Sequence, residues 1–89
     1  MSMSNNGLSK LIEECGEVLQ ISGKLLAYPS GEHPDNAGNL FERLEYELAD
    51  LSAAIDFVIS ARRLDGLSIE AMKQEKLAIF HKWHSDPNN

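Results

Sequence analysis

Residues 8–26 read LSKLIEECGEVLQISGKLL, and the reading of this stretch decides the fold. Successive residues of a helix turn by about 100°. On that projection Leu11, Ile12, Cys15, Leu19, Ser22 and Leu26 fall within about 60° of Leu8, which makes a stripe expected to face the core. Val18, Ile21 and Leu25 make a second apolar strip centred at roughly 250°. Glu14 lies inside that second strip at roughly 240°, and Glu17 lies on its edge at roughly 180°. Glu13, at about 140°, points elsewhere, towards water. A helix built only to pack would carry leucine or alanine where Glu14 stands.

Working outward, three helical segments are expected, over about 4–27, 39–64 and 68–83. Tyr28-Pro29 stops the first, because proline disfavours the helical region for the residue before it. The segment YPSGEHPDNAG, 28–38, holds two prolines and two glycines and reads as a loop. Asn39 is a good N-cap for the second helix, with Glu42 in the position of a capping-box partner. Asp65-Gly66 closes that helix, with Gly66 available for a left-handed C-cap. Ser68 then caps the third, with Leu67 and Met72 spaced as a hydrophobic staple, and SDPNN is expected to fray from its end. No useful period-2 alternation of apolar residues occurs. The chain therefore reads as one all-α domain spanning 1–89, a helical hairpin plus a third helix.

The second helix repeats the pattern of the first. Measured from Leu40, the residues Leu44, Leu51, Ala54, Ile55 and Val58 form one broad apolar face, with Glu47 inside it at roughly 340°. Asp50 lies at about 280°, between Phe57 and Ala61. An unpaired buried carboxylate costs several kcal/mol, on the order of the stability of a whole domain. Residues at i and i+3 share a face, so Glu14 with Glu17 and Glu47 with Asp50 are two pairs of oxygen donors. If the two helices pack side by side and antiparallel, the pairs converge. An all-oxygen set of this kind suits Mg²⁺ or Mn²⁺ better than zinc. Gly16, beside these residues, lowers helix propensity by about 1 kcal/mol relative to alanine, which suggests close approach by a neighbouring helix or a ligand.

Composition sets the surroundings. With 14 acidic and 8 basic residues in 89, the formal charge is −6, which argues against non-specific nucleic-acid binding and suits a partner that brings cations. A chain this short buries only a modest core, so self-association is a natural way to hide more apolar surface. The single cysteine, Cys15, excludes a disulfide within the chain and fits a reducing compartment. It lies on the first stripe and is expected to be a buried, inert thiol. The N-terminal MSMSNNG lacks the features of a secretory signal, and no apolar run is long enough to span a membrane. A cytoplasmic location is the expectation. His81 and His84 have metal-pair spacing but no evident third ligand. Trp83 reads as an apolar anchor.

The paired motif, Glu13-Glu14-Cys15-Gly16-Glu17 and Glu47-Leu48-Ala49-Asp50, resembles that of the MazG-like nucleotide pyrophosphohydrolases of the all-α NTP pyrophosphatase superfamily. The flanking text, over about 8–63, is similar to the short members often encoded by phages, which would put the protein in a host cytoplasm. The resemblance implies hydrolysis of a nucleoside triphosphate to the monophosphate and pyrophosphate. It implies Glu14, Glu17, Glu47 and Asp50 as Mg²⁺ ligands, Mn²⁺ being a substitute, with Glu14 or Glu17 accepting the proton of the attacking water. Glu13 would take a supporting or substrate-side role, and Lys24, Arg62, Lys73 and Lys76 are candidates for phosphate contact. It also implies a homodimer or homotetramer assembled as a four-helix-bundle-like oligomer. Two other functions fit the same residues: phosphoribosyl-ATP pyrophosphohydrolase, and a metal-binding helical interaction module without turnover.

Overall fold

Three helices and no strand make up the described part of the chain, which in this computed structural model comprises Asn5 and residues 7–85. They are α1 (Leu8–Ala27), α2 (Leu40–Ala61) and α3 (Gly66–Ser85). The start expected at Ser4 lies outside the described residues, and of the SDPNN segment expected to fray, Ser85 still belongs to α3 while 86–89 lie outside them. The helix itself begins at Leu8 because Gly7 stands in the left-handed region, at φ 85°. A Cβ there would lie 2.6 Å from the Phe57 ring, so conformation and space both demand glycine. Asn5 serves the first turn. Its carbonyl accepts the Leu8 N–H at 2.6 Å and its side chain accepts the Ser9 N–H at 2.9 Å.

The 28–39 loop turns the chain back on itself. Gly31, at φ 89° and buried, packs so close to Phe41 that a Cβ would fall 2.8 Å from the ring. Its carbonyl accepts the Leu40 N–H at 2.9 Å. Asn39 caps α2 as expected, its side chain accepting from Phe41 N–H at 2.8 Å and Glu42 N–H at 3.3 Å. Pairing along the hairpin runs in opposite order on the two helices. Gly7 lies against Phe57 and Val58, Glu14 meets Glu47 and Asp50, and Lys24 shares a cavity with Arg43. α1 and α2 are therefore antiparallel neighbours.

The face used for this packing overturns one expectation. Ile21, Leu40, Ala54 and Val58 are buried, with Val18, Leu25, Leu44 and Leu51 half-buried around them. The strip of α1 that holds Glu14 thus faces α2. The stripe expected to form the core lies mostly in the open, with Ile12 72%, Leu19 74% and Leu26 87% exposed. Cys15, on the same stripe, is exposed rather than buried. Helical phase reveals that two apolar arcs exist, but not which of them the neighbouring helix will cover.

The third helix corrects two further details. α2 ends in a Schellman turn, in which Leu64 N–H bonds Ile59 C=O at 2.9 Å and Arg63 N–H bonds Ser60 C=O at 3.2 Å. Its left-handed residue is Arg63, at φ 54°, and not Gly66. α3 is capped by Asp65 rather than Ser68, since Asp65 Oδ1 accepts the Ser68 N–H at 3.0 Å. That shift moves Leu67 into the first turn, where it is exposed and staples nothing. α1 and α2 pack along their length, whereas among the described residues α3 has no comparable packing against either. Met72, Leu77, Phe80 and Trp83 are all exposed, and the Trp83 ring lies beside that of Phe80, at a separation of 5.7 Å. No helix among the described residues is long and apolar enough to cross a membrane.

Among the described residues nothing crowds Gly16, and a Cβ there would meet none of their atoms within 4 Å. Gly16→Ala is accordingly expected to stabilise the fold by about 1 kcal/mol, through helix propensity alone. Chemical denaturation checks this. A loss of stability instead would show that another molecule packs on that turn.

Candidate metal centre

Glu14 stands on the second turn of α1, and Glu47 and Asp50 stand one turn apart on α2. Antiparallel packing brings one carboxylate oxygen from each to within 4.8 Å of the others. Glu14 is 4% exposed, while Glu47 and Asp50 are half-buried. Among the described residues no other group of three or more metal-capable side chains comes together, and His81 and His84 on α3 form none.

Glu14 is the informative member. Its Oε1 lies 3.0 Å from Lys10 Nζ, one turn back on α1. Its Oε2 is buried and has no hydrogen-bond partner. A buried polar atom left without a partner costs about 1–3 kcal/mol, and more if the group is charged. Lys10 serves only Oε1, and a cation held by the cluster would supply the partner that Oε2 lacks. Three hard oxygen donors from two rigid helices could hold a hard divalent cation.

The electrostatics agree. The Glu47 carboxyl titrates above its usual range, first because burial disfavours its charge and then because Glu17, Asp50 and Glu14 repel it. Lys10 is pushed up by its bond to Glu14 and by Glu13 nearby. A carboxyl raised on folding adds stability below the pKa of the free group and loses it as pH rises through the folded value. Glu47→Gln should therefore raise the melting temperature of chelator-treated protein at pH 7, with the gain fading as pH falls through the raised Glu47 value and gone below the ordinary 4.5. Thermal melts across that range test the sign.

The remaining sequence candidates divide by position. Glu17 is exposed and outside the trio, yet it lines a cavity of about 120 Å³ together with Glu47, Gln20, Lys24, Arg43 and Tyr46. Glu13 is exposed and lies 3.6 Å from Lys10. Lys24 lines the cavity. Arg62, at the far end of α2, and Lys73 and Lys76, on α3, do not, and Lys73 pairs with Glu70 at 3.1 Å.

Sequence reasoning missed Lys10, Arg43 and Asp35. Lys10 is legible as the i−4 partner of Glu14. Arg43 sits at roughly 300° on α2, between Glu47 and Asp50, so its phase could have exposed it. Asp35 lies in a loop, where no periodicity applies. The chain matches no protein-family model, no curated protein and no solved structure.

Proposed function

We propose that the protein is a Mg²⁺-dependent nucleoside triphosphate pyrophosphohydrolase, converting an NTP or dNTP and water to the monophosphate and pyrophosphate. The observation that carries this reading is the buried, unpartnered Oε2 of Glu14. It converges with Glu47 and Asp50 in the E-E-x-x-E and E-x-x-D arrangement of the MazG-like enzymes. Glu14, Glu47 and Asp50 would hold the cation, with Mn²⁺ a substitute and Glu17 beside them at the cavity wall. Bound there, the cation neutralises phosphate charge and acidifies the attacking water. Glu17, accessible in the cavity, is suited to accept the proton of that water, whereas buried Glu14 is suited to ligation. Attack at the α-phosphorus breaks its bond to the bridging oxygen, and pyrophosphate leaves.

The cations lining the same cavity favour an enzyme over a binding module without turnover, since a polyphosphate needs positive partners beyond the metal. The open stripe of α1 and the outlying α3 support a homodimer or homotetramer, in which hairpins pair into a four-helix-bundle-like assembly. A cytoplasmic location, where nucleotides are abundant, suits this activity. The test is product analysis over canonical and modified NTPs and dNTPs, with phosphoribosyl-ATP included. The expected result is Mg²⁺-dependent formation of pyrophosphate and monophosphate in equal amounts. Orthophosphate as the product, or no turnover of any member by folded protein, would contradict the reading.

A further inference from the structure

The loop of the hairpin gathers a second group of charges, centred on Asp35. Its Oδ1 accepts the Ala37 backbone N–H at 3.1 Å, and its Oδ2 accepts from Lys24 Nζ at 3.2 Å. Arg43 Nη1 bonds both oxygens, at 3.2 and 3.3 Å. The Asp35 N–H in turn donates to His33 Nδ1 at 3.1 Å, which ties the loop together. The carboxylate is therefore fixed by its own loop, independently of the two cations it holds. The Ala37 N–H, then Lys24 and Arg43, keep it ionised far below the usual carboxylate range.

One reading of this group is a clasp joining the ends of α1 and α2. It does not explain why both cations also line the cavity that Glu17 and Glu47 border. A guanidinium carries five N–H donors and an ammonium three, and Asp35 engages only Nη1 of the first and a single contact of the second. Donors of both side chains thus remain for a ligand in the cavity. Carboxylates at one end and two cations at the other match a ligand that is itself anionic and arrives with a divalent metal.

Resting on the function proposed above, we propose that Lys24 and Arg43 form the anion-binding end of the cavity, receiving the polyphosphate chain of the nucleotide. Asp35 is then a positioning residue, which acts by holding both cations in place.

Binding of inorganic tripolyphosphate to the full chain, measured by calorimetry without turnover, separates this role from a clasp. Arg43→Gln and Lys24→Gln should each weaken binding by about tenfold or more. Asp35→Asn is the sharper probe, because removing a negative charge would by simple electrostatics strengthen anion binding. Positioning predicts the reverse, a several-fold loss with partial recovery in Asp35→Glu and, in turnover, a rise in KM larger than any fall in kcat. Tripolyphosphate binding that is unchanged or tighter in Asp35→Asn, with the helical circular dichroism of the parent, overturns the proposal. If that variant does not fold, Arg43→Gln decides, and unaltered affinity there overturns it equally. Tripolyphosphate held through Arg43 without hydrolysis of any nucleotide would sink the enzyme reading alone. Hydrolysis with a KM indifferent to Arg43 and Asp35 would sink this inference alone.

Discussion

Glu14→Gln is expected to lower kcat/KM for triphosphate hydrolysis by at least about 100-fold, since changes that merely support a metal ligand already cost about 10–100-fold. The substitution keeps the shape of the side chain and removes its charge. Its other consequences are small. Lys10, the cation bonded to Glu14 among the described residues, keeps a side chain 58% exposed, so its charge is not stranded in the interior by losing its partner. The partnerless Oε2 is also no longer part of an anion. The variant should thus melt at or above the parent in chelator, while Mg²⁺ is expected to raise the melting temperature of the parent and to leave that of the variant unchanged. A variant that keeps full activity would remove Glu14 from the site.

Leu19→Glu is expected to abolish the self-association proposed above. Leu19 is 74% exposed within one chain, between Ile12 and Leu26 at seven-residue spacing on the same stripe. In an isolated chain this change falls among surface substitutions, within about 0.5 kcal/mol. If a second copy covers the stripe, each buried leucine contributes about 1.5–3 kcal/mol, and the glutamate adds repulsion between copies of an acidic chain. Association should then weaken by at least about 100-fold, counting both copies. The shape of the chain supports this outcome. Its radius of gyration is 16.1 Å, against the roughly 12 Å of a compact chain of this length. Sedimentation and the concentration dependence of the melting temperature read the effect. A variant with the mass and melting curve of the parent would mean that the stripe is not an interface.

Much of the fold was legible because its signals are local. The loop prolines, the Asn39 cap and the 3.6-residue period of both long helices each specify structure within a few residues. The choice between the two apolar arcs of α1 was not legible, since it depends on what α2 presents, and the covered arc proved to be the one carrying Glu14. The Arg63 turn escaped notice for a related reason. Glycine at 66 is the better intrinsic left-handed residue, yet the Schellman bonds close three residues earlier.

The convergence of Glu14, Glu47 and Asp50 could be read from spacing and phase once antiparallel packing was assumed. That Glu17 stands at the cavity wall, outside the trio, could not. Phase puts it at the edge of the strip, and only the separation of the helices determines how far such a residue reaches. Asp35 belongs to the same class of omission, because a loop residue acquires its partners from tertiary structure alone.

The most direct measurement is binding of Mn²⁺, followed by electron paramagnetic resonance, to the parent and to Glu14→Gln, Glu47→Gln and Asp50→Asn. Saturable binding by the parent, weakened at least about tenfold in each of the three variants, is the predicted result. Binding that persists undiminished in all three, or no binding by the folded parent at millimolar Mn²⁺, would contradict a cation site at the meeting of α1 and α2.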